Sequence, residues 1–198
     1  MLASSIRLQL LIGQNVPTPA PYSVVKSLVN LEVQNNDRDR DGFQMTFTLG
    51  KDPLRDYGLL RDGLLNPPNR VIITVIIGVL PQVLIDGKIT RHQVIPSEQP
   101  GQSRLMVTGE DISLELDLEH KQETYANLSD SDIVTQIVSS YGLVPEVTRT
   151  SEVPVETERI TSQQGTDLNF IQELARRNNH VFYIESTAVA GVNTAYWG

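Results

Sequence analysis

The 198-residue chain has no cysteine. That absence excludes disulfides, thiolate zinc sites, iron–sulfur clusters and a Cys nucleophile, and it fits a reducing compartment. Positive charge is scarce: 16 Lys and Arg stand against 24 Asp and Glu, a net charge of −8. A sequence-blind nucleic-acid binder needs basic surface to displace counterions, and docking on anionic lipid needs it too, so neither is expected. Aromatic residues make up 6% of the chain. They are spread out, which leaves no stacking platform for single strands. Long apolar runs are missing as well. The longest, Val71 to Leu80, is broken by Thr74 and Gly78 and falls well short of the ~20 residues a bilayer-spanning helix needs. It reads as a strand buried on both faces, and no stable membrane insertion is expected. Met1 to Arg7 lacks a basic stretch leading into an apolar core, so no targeting peptide is expected there.

Signatures of chemistry are equally sparse. His92, His120 and His180 lie too far apart for any zinc spacing. No G-x-S-x-G elbow and no G-x-x-x-x-G-K phosphate loop occurs. A glycosidase needs two carboxylates across the scissile bond, but no segment resembles a lysozyme domain. Asp37-Arg38-Asp39-Arg40-Asp41-Gly42 matches the first half of a calcium loop. The twelfth position is Thr48 rather than Glu, two arginines oppose a cation, and the flank alternates as a strand, so the segment reads as a charged hairpin turn. Asn127-Leu128-Ser129 fits the glycosylation acceptor pattern, but Ser129 is better read as a helix cap. The chain is therefore expected not to be an enzyme. No residue is assigned a catalytic, cofactor or metal role.

What is present is a patterned, foldable chain. Hydrophobic residues make up 39% and charged residues 20%, enough for a sizeable core. The first 120 residues read as β, with Lys51 to Asn69 breaking the pattern. Ile6, Leu8, Leu10 and Ile12 predict one half-buried strand. Val29, Leu31 and Val33, then Phe43, Met45, Phe47 and Leu49, predict a hairpin around a polar turn. Val16 to Tyr22 reads as a loop. Asp52-Pro53 opens a short helix through Leu54, Tyr57 and Leu60, stopped by Gly63 and Asn66-Pro67-Pro68-Asn69. Val71 to Val79 is the central strand. Asp86-Gly87, between Val83-Leu84-Ile85 and Lys88-Ile89-Thr90, carries a tight-turn hairpin signal. The loop Pro96 to Gly101 leads into a strand over Arg104 to Thr108. For Ile112 to Leu118 the alternation supports a strand, and a short helix opened by Asp111 is the competing reading.

Near residue 122 the composition changes. Ser129 caps a helix whose face is Ile133, Val134, Ile137, Val138 and Tyr141, with Gly142 as its stop. Thr166 caps a second, with Asp167 in its first turn, then Leu168, Phe170, Ile171, Leu174 and Ala175 on one face. Arg176 and Arg177 lie near its negative end. With strands near Val153 to Ile160 and over Val181 to Ile184, residues 123–185 read as a helix–strand–helix–strand unit.

The segment from Asn127 onward resembles the late control protein D family, which includes phage tail hubs and the valine–glycine repeat protein G spikes of contractile injection systems. The resemblance rests on Tyr141-Gly142-Leu143, Gln164, Thr166-Asp167-Leu168, Phe170-Ile171 and Leu174-Ala175, and upstream on "LIDGKITR" at 84–91 and "VTGEDIS" at 107–113. It implies an α+β fold: a tube-like antiparallel β-barrel over residues 1–121, a small α/β insertion over 122–186, and in 187–198 a linker or the start of a second barrel. It implies a structural baseplate hub, a trimeric adaptor joining a sixfold tail tube to a threefold spike. Its partners would be copies of itself, the tube protein, a spike and other baseplate proteins. Its place would be a virion tail or tail-like particle assembled in the bacterial cytoplasm. Which strand edges form the subunit interface is left open. The alternative is a β-barrel module binding a small ligand or sugar, for which Tyr22, Tyr57 and Trp197 are the candidate contacts.

Overall fold

Period-two alternation becomes strand nearly everywhere in the first part of the chain. The computed structural model describes residues 6–14, 16–35, 40–49, 58–99, 101–157 and 159–198. They fall into two compact units: one running up to Asp111 and including Ala188–Gly191, the other comprising Ile112–Thr187 and Val192–Gly198.

The first unit is a seven-stranded sheet of β1 (Ile6–Gly13), β2 (Thr18–Pro19), β3 (Leu28–Gln34), β4 (Gly42–Thr48), β5 (Arg70–Ile77), β6 (Leu80–Ile95) and β7 (Arg104–Asp111). Its order is β2-β1-β5-β6-β7-β4-β3, and every pairing is antiparallel. The β3–β4 hairpin forms as its pattern predicts, with Leu31 opposite Met45 and Val33 opposite Phe43. Alternate residues enter one core: Leu10, Ile12, Phe43, Met45, Phe47, Val71, Ile73, Ile85, Ile89, Leu105 and Val107 pack together with Val24, Leu49 and Leu65.

Among the described residues no strand pair closes this sheet into a barrel: β2 and β3 are its outer strands. It is nevertheless curled. Laid flat, seven strands would separate β2 from β3 by ~29 Å. The chain joins Pro19 to Leu28 through a helix, α1 (Tyr22–Ser27), a path that reaches at most ~23 Å. The outer strands must therefore approach each other, and Val24 of α1 is buried in the core inside the curl.

Two local expectations are revised in this unit, and a third is described only in part. The stretch read as a loop over Val16 to Tyr22 contains β2 and runs into α1. Of the helix expected after Asp52-Pro53, α2 (Gly58–Arg61) is described and its start lies outside the described residues. Asp86-Gly87 is not a turn: β6 runs straight through it, and the reversal lies at Gly78-Val79, where Ile77 pairs with Leu80 and Gly78 takes φ +67°. Tertiary contacts override the dipeptide's turn propensity. Asp86 is buried and its carboxylate accepts from both Nε and Nη2 of Arg70, at 2.7 and 2.6 Å. At Gly87 any side chain would run into the Glu110 carbonyl of the neighbouring strand.

The second unit opens with a short 3-10 helix, Ile112–Asp117, so the helical alternative holds there. Ile112 and Leu116 turn inward and Leu118 is exposed. Then come β8 (His120–Tyr125), α3 (Asp130–Ser140), β9 (Val144–Val147), β10 (Thr161–Thr166), α4 (Asp167–Asn178), β11 (Phe182–Ser186) and β12 (Asn193–Trp197). β8 pairs with β10, and β12 lies between β11 and β9, parallel to β9. Both helices begin as their sequences predict. Ser129 accepts from the Asp132 amide in a reciprocal capping box, and Thr166 accepts from the Asn169 amide. Gly142 takes φ +71° after α3. Among the described residues the expected strand near Val153 to Ile160 does not form. Pro154 lacks a donor for a ladder, Val153 and Val155 face solvent, and the strands lie to either side at β9 and β10. Residues 193–197, read as part of a linker or second barrel, supply the central strand β12. The core gathers Ile133, Val134, Ile137 and Val138 of α3, Leu168, Phe170, Ile171, Leu174 and Ala175 of α4, and Ala195 and Trp197 of β12.

Candidate functional site

The second unit contains a buried polar cluster centred on Asp167, the first residue of α4. Its side chain is 1% exposed. Oδ2 accepts from Lys121 Nζ of β8 and from the Tyr141 hydroxyl at the end of α3, both at 2.6 Å. Oδ1 accepts from Gln163 Nε2 of β10 at 2.7 Å. Gln163 Oε1 in turn accepts from the Tyr125 hydroxyl at 2.9 Å. One carboxylate thus ties four elements together, and the free N–H groups at the start of α4 favour its charge. Burial pushes its pKa up, but Lys121, Tyr141 and Gln163 outweigh that and hold it below the usual carboxylate value. The Lys121 ammonium is held protonated well above its ordinary range, chiefly by its hydrogen bond to Asp167. Burial pushes the Tyr125 and Tyr141 hydroxyls up to about 12 each. These groups are locked in their resting protonation states at neutral pH. That is the opposite of a general acid or base, whose pKa lies near the working pH.

A second ionic contact joins the two helices. Asp130, at the start of α3, accepts from Arg177 Nε at 2.9 Å, makes a closer contact with Arg177 Nη2, and accepts from Asn178 Nδ2 at 2.7 Å. Arg177 is thus committed to this pair, near the end of α4 where its charge is favoured.

His92 Nδ1 faces the Leu65 carbonyl at 3.3 Å, His120 is exposed at the start of β8, and His180 sits edge-on to Trp197 with ring centroids 4.5 Å apart. Among the described residues no group of His, Asp or Glu is placed to hold a metal ion. Asp37, Arg38 and Asp39 lie outside the described residues. At the other end of that motif, Arg40 pairs with Glu110 at 2.6 Å and the Asp41 amide donates to Asp111 Oδ2. Asn127 takes φ +57°, and its Oδ1 accepts from the Glu156 amide. Tyr22 is exposed, Trp197 is fully buried, and Tyr57 lies outside the described residues. Of the two adjacent glutamines, Gln164 is exposed and Gln163 enters the Asp167 cluster. The only sequence signal for that cluster is the acidic first-turn residue behind the Thr166 cap, since its partners lie on other elements.

β2 is two residues long and ends in Pro19, and β3 carries a bulge between Leu28 and Asn30; both features blunt an open edge. At one end of the sheet Ile6, Ile77 and Leu80 are opposed in register beside Val79 at the turn. All four are exposed, Val79 at 88%. No helix among the described residues is long and apolar enough to cross a membrane.

Residues 27–195 match the family model described as the Alg8 N-terminal domain. No curated protein matches in sequence. Solved structures do match in fold. The 43 kDa tail protein of prophage MuSo2 from Shewanella oneidensis aligns with TM-score 0.61 at 12% identity, over 97% of this chain and 53% of that one. A type VI secretion system component of E. coli, described as structurally similar to T4 bacteriophage tail proteins, aligns with TM-score 0.54 at 16% identity, over 99% of this chain and 46% of that one. A chain of the Francisella PdpA–VgrG complex aligns with TM-score 0.60 at 14% identity, over 98% of this chain and 31% of that one. The chain thus spans about half the length of the first two and less of the third. At such identities the likeness establishes a shared fold: mixed α+β, mostly strand, built on a large antiparallel sheet.

Proposed function

The chain belongs to the Alg8 N-terminal domain family, and from its tail-protein fold we propose that it is a structural hub component of a phage tail or tail-like contractile injection system. The observation that carries this reading is the extent of the fold likeness. Tail and type VI secretion proteins align over 97–99% of this chain, through both compact units. In this reading the protein works by assembly, not catalysis. Residues 1–121 supply a tube-type barrel domain, residues 122–186 the body of an insertion, and a second barrel lies beyond. Three copies join a sixfold tube to a threefold spike, and the tube, spike and baseplate proteins are the partners. The particle is a virion tail or its relative, assembled in the bacterial cytoplasm. The curled sheet supports the barrel assignment, and its exposed aliphatic end suits subunit contacts.

The test is to tag the protein in its native cell, recover it gently and image the eluate by negative-stain electron microscopy. Tube-like or sheathed particles labelled at one end, with tube protein co-purifying, are expected. Small isolated particles with no tube protein would sink the hub reading.

A further inference from the structure

The three-stranded sheet of the second unit has one dry face and one open face. Phe182, Ile184, Ala195, Trp197 and Val147 pack against the core. The alternate residues point the other way, and the register sets them in two rows: Tyr183–Tyr196–Glu146, and beside it Glu185–Thr194–Val144. Tyr183 and Tyr196 are stacked, with centroids 4.8 Å apart and planes 25° apart. Tyr183 is 46% exposed and Val144 48%; Glu146 and Glu185 are exposed too. No Lys or Arg occurs in any of the three strands. Among the described residues neither glutamate has an ion-pair partner.

Two stacked rings with a carboxylate near each end of the stack form a surface that complements a flat cation. A guanidinium stacks on an aromatic face and offers its N–H fork to a carboxylate in the same geometry, whereas an ammonium is a compact, strongly hydrated charge. We propose that this face docks an arginine-bearing segment of a protein partner, its guanidinium lying on the Tyr183–Tyr196 pair and hydrogen-bonded to Glu146 or Glu185. The charge balance argues for that occupant: the chain is acidic, the three strands carry only negative charge, and a partly exposed aromatic pair beside two carboxylates gains most from a weakly hydrated cation. The inference does not rest on the hub reading, because it follows from this face alone.

The probe is hexa-arginine, titrated into the full chain carrying ring-labelled tyrosine and followed by NMR, with Tyr183 and Tyr196 signals assigned by Tyr→Phe variants. Saturable shifts of both rings are expected. The double variant Glu146→Gln/Glu185→Gln is expected to weaken binding about tenfold. Glu98→Gln/Glu119→Gln, which removes the same charge from exposed positions elsewhere, is expected to change it less than twofold. Hexa-lysine is expected to bind more weakly than hexa-arginine. Motionless tyrosine signals, equal weakening by the two double variants, or equal binding of hexa-lysine would each overturn the proposal.

Discussion

Asp167 accepts hydrogen bonds from three side chains on three other elements while almost fully shielded from water. Breaking such a pair costs more than its net worth, because the partner is left without its counter-charge. Asp167→Asn is therefore expected to destabilise the second unit by roughly 2–4 kcal/mol, read by denaturant unfolding. The pH dependence follows from the same groups. A depressed carboxylate stabilises the fold above its unfolded pKa and loses that contribution as pH falls through the folded value, so Asp167 contributes down to below pH 3.8. Raised pKa values act in the opposite direction. Lys121, Tyr125 and Tyr141 stabilise fully below their unfolded values, near 10, and the tyrosine contribution is lost as pH rises toward about 12. Thermal unfolding is expected to show a plateau through neutral pH with losses on both flanks. In Asp167→Asn the acid-side loss should shrink.

At the scale of elements, the helices and the sheet depend on different physics. α3 begins with a reciprocal cap, so Ser129→Ala is expected to cost about 1 kcal/mol, with Ser129→Gly milder. β6 depends on close backbone approach at Gly87, where the Glu110 carbonyl occupies the space a methyl would need. Gly87→Ala is expected to cost roughly 1–3 kcal/mol by forcing β6 and β7 apart, measured as a lowered denaturation midpoint. The same position explains a misleading signal. Asp-Gly favours a tight turn locally, yet here the Asp is held by Arg70 and the Gly is required by the neighbouring strand. The stretch Val153 to Ile160 misleads as well: among its described residues no strand pairing forms.

At the scale of the whole molecule, each unit has its own closed apolar cluster. A cavity in one should therefore be felt first in that unit. Met45→Ala, at a fully buried position of the first cluster, is expected to cost about 2–5 kcal/mol. Hydrogen exchange should then accelerate in the strands among residues 6–111, with the α3 and α4 amides changing less.

The sequence by itself determined the α+β class, the alternating strands of the first unit, the β3–β4 hairpin, and the start and buried face of both main helices. Those features are local: a period of two, a period of 3.6, and capping residues a few positions apart. It also carried the resemblance to tail hubs, through Tyr141-Gly142-Leu143 and the helix that follows Thr166. Only the tertiary structure decided the strand order, the curl of the sheet, the passage of β6 through Asp86-Gly87, the placing of β12 between β9 and β11, and the meeting of Lys121, Tyr125, Tyr141 and Gln163 around Asp167. Those depend on partners tens of residues apart. A polar residue's sequence neighbours do not reveal which distant donor will satisfy it, and a strand's alternation does not name its neighbour.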